Sequence, residues 1–247
     1  MSVLHEWRTS LSRRLRETIL THYLVPDSRF GLDPGLVPHL PAGRPVTLID
    51  VGANRGDFAA TVQAHSGLRS AILIEPQLEL ALALSQRFTD PAIRVANVAV
   101  SDAPGSHSFE VLQADSCSSL LPIRAEAGFN ERQIDVRVKE RYDIEVRTLD
   151  DVIDSAGWTG VIDLLKVDTQ GNELQVINGA QRHLQSVRLL WIEVSFRSLY
   201  QGDTLFTDVH QALTALGFRL YSFHEAFRNA NRELLQADAL FLGPMAH

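Results

Sequence analysis

Short apolar runs recur along the chain with helical patterns between them. The runs at 46–51, 68–74, 93–100, 161–168 and 189–196 are the lengths of strands, and the first and fourth are the most strongly apolar, as strands buried on both faces are. Helical stripes separate them at 58–65, at 78–88 with Leu78, Leu82 and Phe88, at 172–184 with Leu174, Ile177 and Leu184, and at 204–216, which Gly217 caps. Two further strands are predicted at 106–112 and 144–149, followed by a short helix at 149–156. Strands 218–223 and 237–242 have only a polar loop between them, so they form an antiparallel hairpin at the sheet edge. Strand and helix in alternation imply right-handed crossovers. The predicted fold is α/β, a seven-stranded mainly parallel sheet with a terminal antiparallel hairpin and helices on both faces.

The amino-terminal part reads differently. Trp7, Leu11, Leu15, Ile19 and Tyr23 make one stripe of a helix over 7–24, opposite a face of Arg8, Arg13, Arg14, Arg16 and Glu17. Residues 23–44 are rich in Pro and Gly and predict an irregular segment over the ligand-bearing edge of the sheet. The chain divides into an amino-terminal helix and cap at 1–45 and one domain at 46–247. With 247 residues, 45% of them hydrophobic, it holds one substantial core and no second domain. The stripe is read first as packing on the domain, with a membrane-surface helix or a helix that pairs with a second subunit as the alternatives.

Composition excludes several classes. No apolar run reaches the ~20 residues that span a bilayer, and arginines interrupt the 11–20 stretch where a secretory leader would be apolar. One cysteine, Cys117, cannot form an intrachain disulfide, so the expected location is the cytoplasm. A net charge of -7 argues against a nucleic-acid partner.

The first strand breaks into Gly52-Ala53-Asn54-Arg55-Gly56 before a helix that begins near Asp57 and Phe58. Glycines at such a turn let the backbone approach a ligand. A dinucleotide site would place its second glycine where Asn54 stands. Asp50 puts a carboxylate beside the loop, which repels a pyrophosphate and suits the ammonium of S-adenosylmethionine. Glu75, followed by Pro76, ends the second strand where a carboxylate can accept two ribose hydroxyls. Asn97, Val98 and Ala99 fall where the third strand emerges and can frame an adenine ring. The hydroxyl-rich 113–122 stretch, with Ser118, is a loop beside the cofactor, and the charged 125–141 stretch is an insertion. Such a layout is that of Rossmann-like class I methyltransferases. An NAD-dependent oxidoreductase and a noncatalytic cofactor-binding module are the alternatives.

These residues resemble the FkbM family of methyltransferases. The resemblance rests on Leu48-Ile-Asp-Val-Gly-Ala-Asn-Arg-Gly-Asp-Phe58, Ile74-Glu-Pro76, Asn97-Val-Ala-Val-Ser-Asp102, Ser118-Ser-Leu120, Arg147-Thr-Leu-Asp150, Leu165-Lys-Val-Asp-Thr-Gln-Gly-Asn-Glu173 and Ile177-Asn-Gly-Ala180, covering about 46–196. Many members read Val-Glu-Gly where Thr169-Gln170-Gly171 stands here. The resemblance implies O-methylation of a hydroxyl on a sugar, polyketide or related natural product. Such a transfer needs the acceptor oxygen held in line and its proton removed. Asp168 and Glu193, at successive strand ends, are candidates for that base, and His210 and His224 are candidates by titration range. Asp168 is also a candidate cofactor contact. Asp168, Asn172 and Glu173 have the oxygens that Mg²⁺ prefers, but Glu173 serves first as an acid at a helix start, and no metal site is assigned. Lys166 and Arg197 can meet an anionic acceptor, though Lys166 reads first as a strand residue reaching a sheet edge or helix end.

Overall fold

The computed structural model describes residues 33–40, 43–124 and 134–246. The predicted helix at 7–24 and most of the 125–141 insertion lie outside the described residues. The main sheet has seven strands, β1 (Val46–Val51), β2 (Leu68–Ile74), β3 (Ile93–Ala96), β7 (Ile162–Val167), β8 (Val187–Ser195), β9 (Arg219–Arg228) and β10 (Leu234–Leu242). Their order is β3-β2-β1-β7-β8-β10-β9. The first five are parallel and β10 runs antiparallel between β8 and β9. The expected edge hairpin is present, with β9 outermost.

β1 and β7 are buried at every position, which is why their sequences are mainly apolar on both faces, with Thr47, Asp50, Asp163 and Lys166 as the polar exceptions. Their side chains still divide between two faces. Leu48 and Leu164 join Ala59 and Val62 of α1 (Asp57–Ser66) and Leu84 of α2 (Leu78–Arg87). Ile49, Val51 and Leu165 join Val152 of α3 (Leu149–Ser155), Val176 of α4 (Glu173–Asn178) and Leu213 of α5 (Phe206–Ala215). Helices thus cover both faces, and the loops that leave the strand ends are held on a rigid base.

Three expected elements change. The 93–100 run splits at Asn97 and Val98. β3 stays in the main sheet, while β4 (Ala99–Val100) joins a second sheet of order β4-β6-β5 with β5 (Gly105–Leu112) and β6 (Val138–Arg147). β6 begins at Val138, ahead of the predicted 144; its first four residues are all exposed and Ile144 is its first buried one, so its first half shows no apolar face. The 172–184 helix ends at Asn178. A Cβ on Gly179 would lie 2.2 Å from the Ser101 carbonyl oxygen, and the Asp150 carboxylate accepts from the Arg182 and His183 N–H groups that a continuing helix would use. The 33–40 segment lies on the α1 and α2 face. Leu36 and Leu40 are buried there, and Asp33 pairs with His224 at 2.9 Å.

Candidate cofactor and acceptor site

A cleft opens at the carboxyl ends of β1, β2 and β7, between the main sheet and the β4-β6-β5 sheet. Its floor is the turn after β1, where Gly52, Asn54 and Gly56 have φ of 81°, 47° and 77°. A Cβ on Gly52 would sit 1.9 Å from the Asp168 carbonyl oxygen, so the ends of β1 and β7 meet only over a glycine. At Gly56 the constraint comes from α2, since a Cβ would approach Leu84 and Phe88 within 2.7 Å. The five N–H groups of the turn are all engaged. Those of Gly52 and Ala53 donate to Ile74, that of Gly56 to Ala53, that of Asn54 to the Glu75 carboxylate and that of Arg55 to the Asn54 side chain. None of these five is left to cradle a pyrophosphate.

Glu75 follows β2 and lines the cleft while only 2% exposed. One carboxylate oxygen accepts from Asn54 N–H and the other from Gln77 N–H, both at 2.8 Å. Burial pushes its pKa up to about 7 against those hydrogen bonds. Asn97 fixes the neighbouring crossover by donating to the carbonyls of Glu75 and Pro76. Val98, Ala99, Phe109 and Leu120 supply apolar wall beyond it. A carboxylate with spare lone pairs beside an apolar slot fits the ribose and adenine of S-adenosylmethionine.

At the β7 end, Lys166 places its ammonium 3.4 Å from Asp50, 3.3 Å from Asp168 and 3.2 Å from the Gly52 carbonyl oxygen. Burial opposes this charge, but the carboxylates of Asp168 and Asp50 hold it protonated above the usual lysine value. Gln170, at φ 58°, donates its side-chain amide to Asp168 at 2.8 Å and to Glu193 at 2.9 Å, and its oxygen lies 2.7 Å from the Tyr200 hydroxyl. An amide suits this place because two carboxylates need a donor between them, and an ionised glutamate could supply none. Burial, with Asp168 and Glu173 nearby, pushes the Glu193 pKa well up. Asp168, whose side chain is 33% exposed, is the carboxylate of this group that lines the cleft.

The 113–120 loop covers the cleft. Asp115 pairs with Arg55 of the glycine turn, and Gln77 donates to the Asp115 carbonyl at 3.2 Å. On the far side Ser119 donates to the Gln170 carbonyl at 2.8 Å. Ser118 also lines the cleft and holds the loop to β5 by accepting from Leu112 N–H. So held, the cleft keeps a free volume of about 80 Å³, where small-molecule sites enclose about 300–1,000 Å³. A ligand the size of a nucleoside requires the loop to lift.

Of the residues expected from sequence, Gly52, Asn54, Glu75, Pro76, Val98, Ala99, Ser118 and Asp168 line this cleft. Ala53, Gly56, Phe58 and Asn97 shape it from behind. Asp50 is fully buried beneath Lys166, whose ammonium 3.4 Å away is its ion-pair partner. It shares the inward face of β1 with Leu48 and does not open toward a ligand. His210 and His224 stand apart from the site. His210 packs between Phe206 and Phe241, and His224 stacks on Trp191 and bonds to Ser222 and Asp33, because both face the sheet. Glu193 lies behind Gln170 and does not line the cleft. Glu173 accepts from Thr169 and Gly171 N–H groups and Asn172 donates to the Val100 carbonyl, so both are committed to loops. Among the described residues no group of three His, Cys, Asp or Glu side chains is placed to hold a metal ion. Arg197 pairs with Glu233 at the surface. Gln77, Phe109 and Asp115 line the cleft without an assigned role in the sequence, since what brings them there is the second sheet and its loop.

This sheet order, with a carboxylate after β2 and a glycine turn that has no N–H to spare for a pyrophosphate, defines an S-adenosylmethionine-dependent methyltransferase. A family model, the methyltransferase FkbM domain, matches residues 50–220. The chain belongs to that family. It is 27% identical over 199 residues to the 2-O-methyltransferase NoeI of Sinorhizobium fredii, covering 78% of this chain and 81% of that protein. Among solved structures it is similar to the FkbM methyltransferase of Methylobacillus flagellatus, with a TM-score of 0.54 and 18% identity over 88% of this chain. It spans 48% of that longer chain. A methyltransferase of Listeria monocytogenes described as S-adenosylmethionine-dependent matches at TM-score 0.50 and 9% identity, over 85% of this chain and 96% of the other. Both likenesses are of fold. Among the described residues no helix is long and apolar enough to cross a membrane.

Proposed function

We propose that the chain transfers a methyl group to a hydroxyl oxygen of a sugar, polyketide or related small natural product. The observation that supports this reading is the joining of two carboxylates, Glu75 and Asp168, in one cleft. When bound, S-adenosylmethionine supplies the electrophilic methyl group. Glu75 would hold the ribose hydroxyls, Val98 and Ala99 the adenine, and Asp168, which lines the same cleft, would meet the acceptor. Lys166 and Gln170 fix the Asp168 carboxylate from two sides, so it can take the acceptor's proton without rotating away. The relative from Sinorhizobium fredii, named for 2-O-methylation, supports a hydroxyl acceptor.

The test is methyl transfer from labelled S-adenosylmethionine to a panel of sugars and polyketide alcohols, with wild type and Asp168→Asn. Transfer to a hydroxyl is expected, reduced by about 10²–10⁴-fold in Asp168→Asn, the range of a lost general base. Undiminished turnover in that variant would remove Asp168 as the base. Absence of S-adenosylhomocysteine binding in a folded protein would sink the whole reading.

A further inference from the structure

A second cavity lies at the opposite end of the sheet, at the amino ends of the parallel strands. Its free volume is about 670 Å³, within the roughly 300–1,000 Å³ of small-molecule sites. Four arginines line it, Arg44 before β1, Arg69 on β2, Arg94 on β3 and Arg188 on β8. The one carboxylate among its lining residues is Asp163 on β7, whose side chain is 1% exposed.

Asp163 already has donors. It accepts from Thr47 N–H at 3.0 Å and from the Thr47 hydroxyl at 3.1 Å. The guanidinium groups of Arg44, Arg69 and Arg188 nevertheless converge on it at 3.1, 3.5 and 3.8 Å. One of them would compensate a buried carboxylate. Three gather like charges at a single point, and Arg94 adds a fourth with no partner among the described residues. The cavity therefore holds a surplus of positive charge in a chain whose net charge is -7. The Arg44, Arg69 and Arg188 side chains remain 43%, 55% and 35% exposed, so N–H donors are left over, each guanidinium having five. Planar forks arranged around one point are the donor set for a phosphate bearing several oxygens and charges.

We propose that this cavity binds a multivalent phosphate anion, with pyrophosphate as the minimal ligand and the four arginines as its donors. Trp158 and Pro91 on the wall leave a surface for a group esterified to that phosphate. The site is separate from the cofactor cleft. β1 runs from Thr47 at this cavity to Val51 at the other, about 13 Å of strand.

The experiment is calorimetric titration of the full chain with pyrophosphate at physiological salt, with and without saturating S-adenosylhomocysteine. One-to-one, saturable binding that survives S-adenosylhomocysteine is expected. The Arg94→Glu variant, which breaks no contact among the described residues, should weaken it by about tenfold or more, roughly the loss of one charge-assisted contact. Its melting temperature without ligand should stay that of the wild type, and Arg69→Lys, which keeps the charge and loses the fork, should weaken binding less. Absence of binding, competition by S-adenosylhomocysteine, or unchanged affinity in Arg94→Glu would overturn the proposal. ADP titrated under the same conditions distinguishes the sources. Tighter binding than pyrophosphate assigns the site to a nucleotide, and equal or weaker binding assigns it to the phosphate alone. The titration without S-adenosylhomocysteine stands even if the methyltransferase reading fails.

Discussion

Glu75 has to hold its own loop and a ligand with one carboxylate. Two of its roughly four lone-pair sites are taken by Asn54 and Gln77 N–H, which leaves about two for the ribose. Burial has moved its pKa up to about 7, so near neutral pH it is only part ionised. Ribose hydroxyls donate to the charged form and favour it, and binding must then release a proton. S-adenosylhomocysteine is therefore expected to bind more tightly at pH 8 than at pH 6. Calorimetry near pH 7 in two buffers of different ionisation enthalpy should show proton release, and an apparent enthalpy that ignores the buffer would separate Glu75 from the ribose. Glu75→Gln turns one acceptor into an amide that faces a backbone N–H. It should weaken binding by about 10–100-fold, the worth of a hydrogen bond to a charged group. This residue was legible in the sequence because the end of an apolar run fixes its place. Asp50 was equally well placed along the chain, but its position in the run says nothing of the neighbouring strand, whose Lys166 covers it. The two histidines show a related limit, since a titration range says nothing of location.

The element that controls entry is the 113–120 loop. It is fastened to the glycine turn by Asp115 with Arg55, to α2's approach by Gln77, and to the β7 loop by Ser119 with Gln170. The first of these is exposed and should be worth about 0–1 kcal/mol, so cutting it loosens the cover without unfolding the domain. Asp115→Ala is expected to speed S-adenosylhomocysteine dissociation by up to about fivefold, by that same magnitude, with a smaller change in affinity. Stopped-flow competition would read it, and an unchanged dissociation rate would mean that the cover opens elsewhere. The parallel strands and their crossover helices are legible in the sequence because burial on both faces leaves short, mainly apolar runs. The second sheet is not, because β6 is polar in its first half and its partner β5 is distant in sequence. That sheet hangs the loop over the cleft, so the places of Gln77, Phe109 and Asp115 depend on a pairing that local sequence does not show, while the glycine turn is local. α4 was overestimated for a reason no helical period contains, the close pass of Gly179 beneath Ser101.

For the molecule as a whole, the buried carboxylates set how stability answers to pH. Burial pushes Glu75, Glu173 and Asp238 each up to about 7, raises Glu193 well above its usual value and raises Glu225. In the unfolded chain all of them titrate near about 4. Across pH 4.5–7 the folded protein thus keeps protons that the unfolded chain has released, and each rise in pH favours unfolding. The stability that these groups contribute is complete below pH 4.5 and lost as pH passes 7. Opposing shifts are weak. Asp135, held low by Arg137, and Asp154, held low by His183, lie at the surface where solvent screens them, and His39, lowered by burial, is a single group. The melting temperature of the protein without ligand is expected to fall between pH 5 and pH 8 at constant ionic strength. Cofactor binding runs the other way, since it needs Glu75 ionised. The extra stability given by a fixed excess of S-adenosylhomocysteine should accordingly be larger at pH 8 than at pH 6, because stabilisation grows with the ratio of ligand concentration to dissociation constant. Scanning fluorimetry with and without ligand reads both trends. A melting temperature that rises across this range would mean that these carboxylates are ionised in the fold, and a ligand effect independent of pH would mean that Glu75 does not hold the ribose.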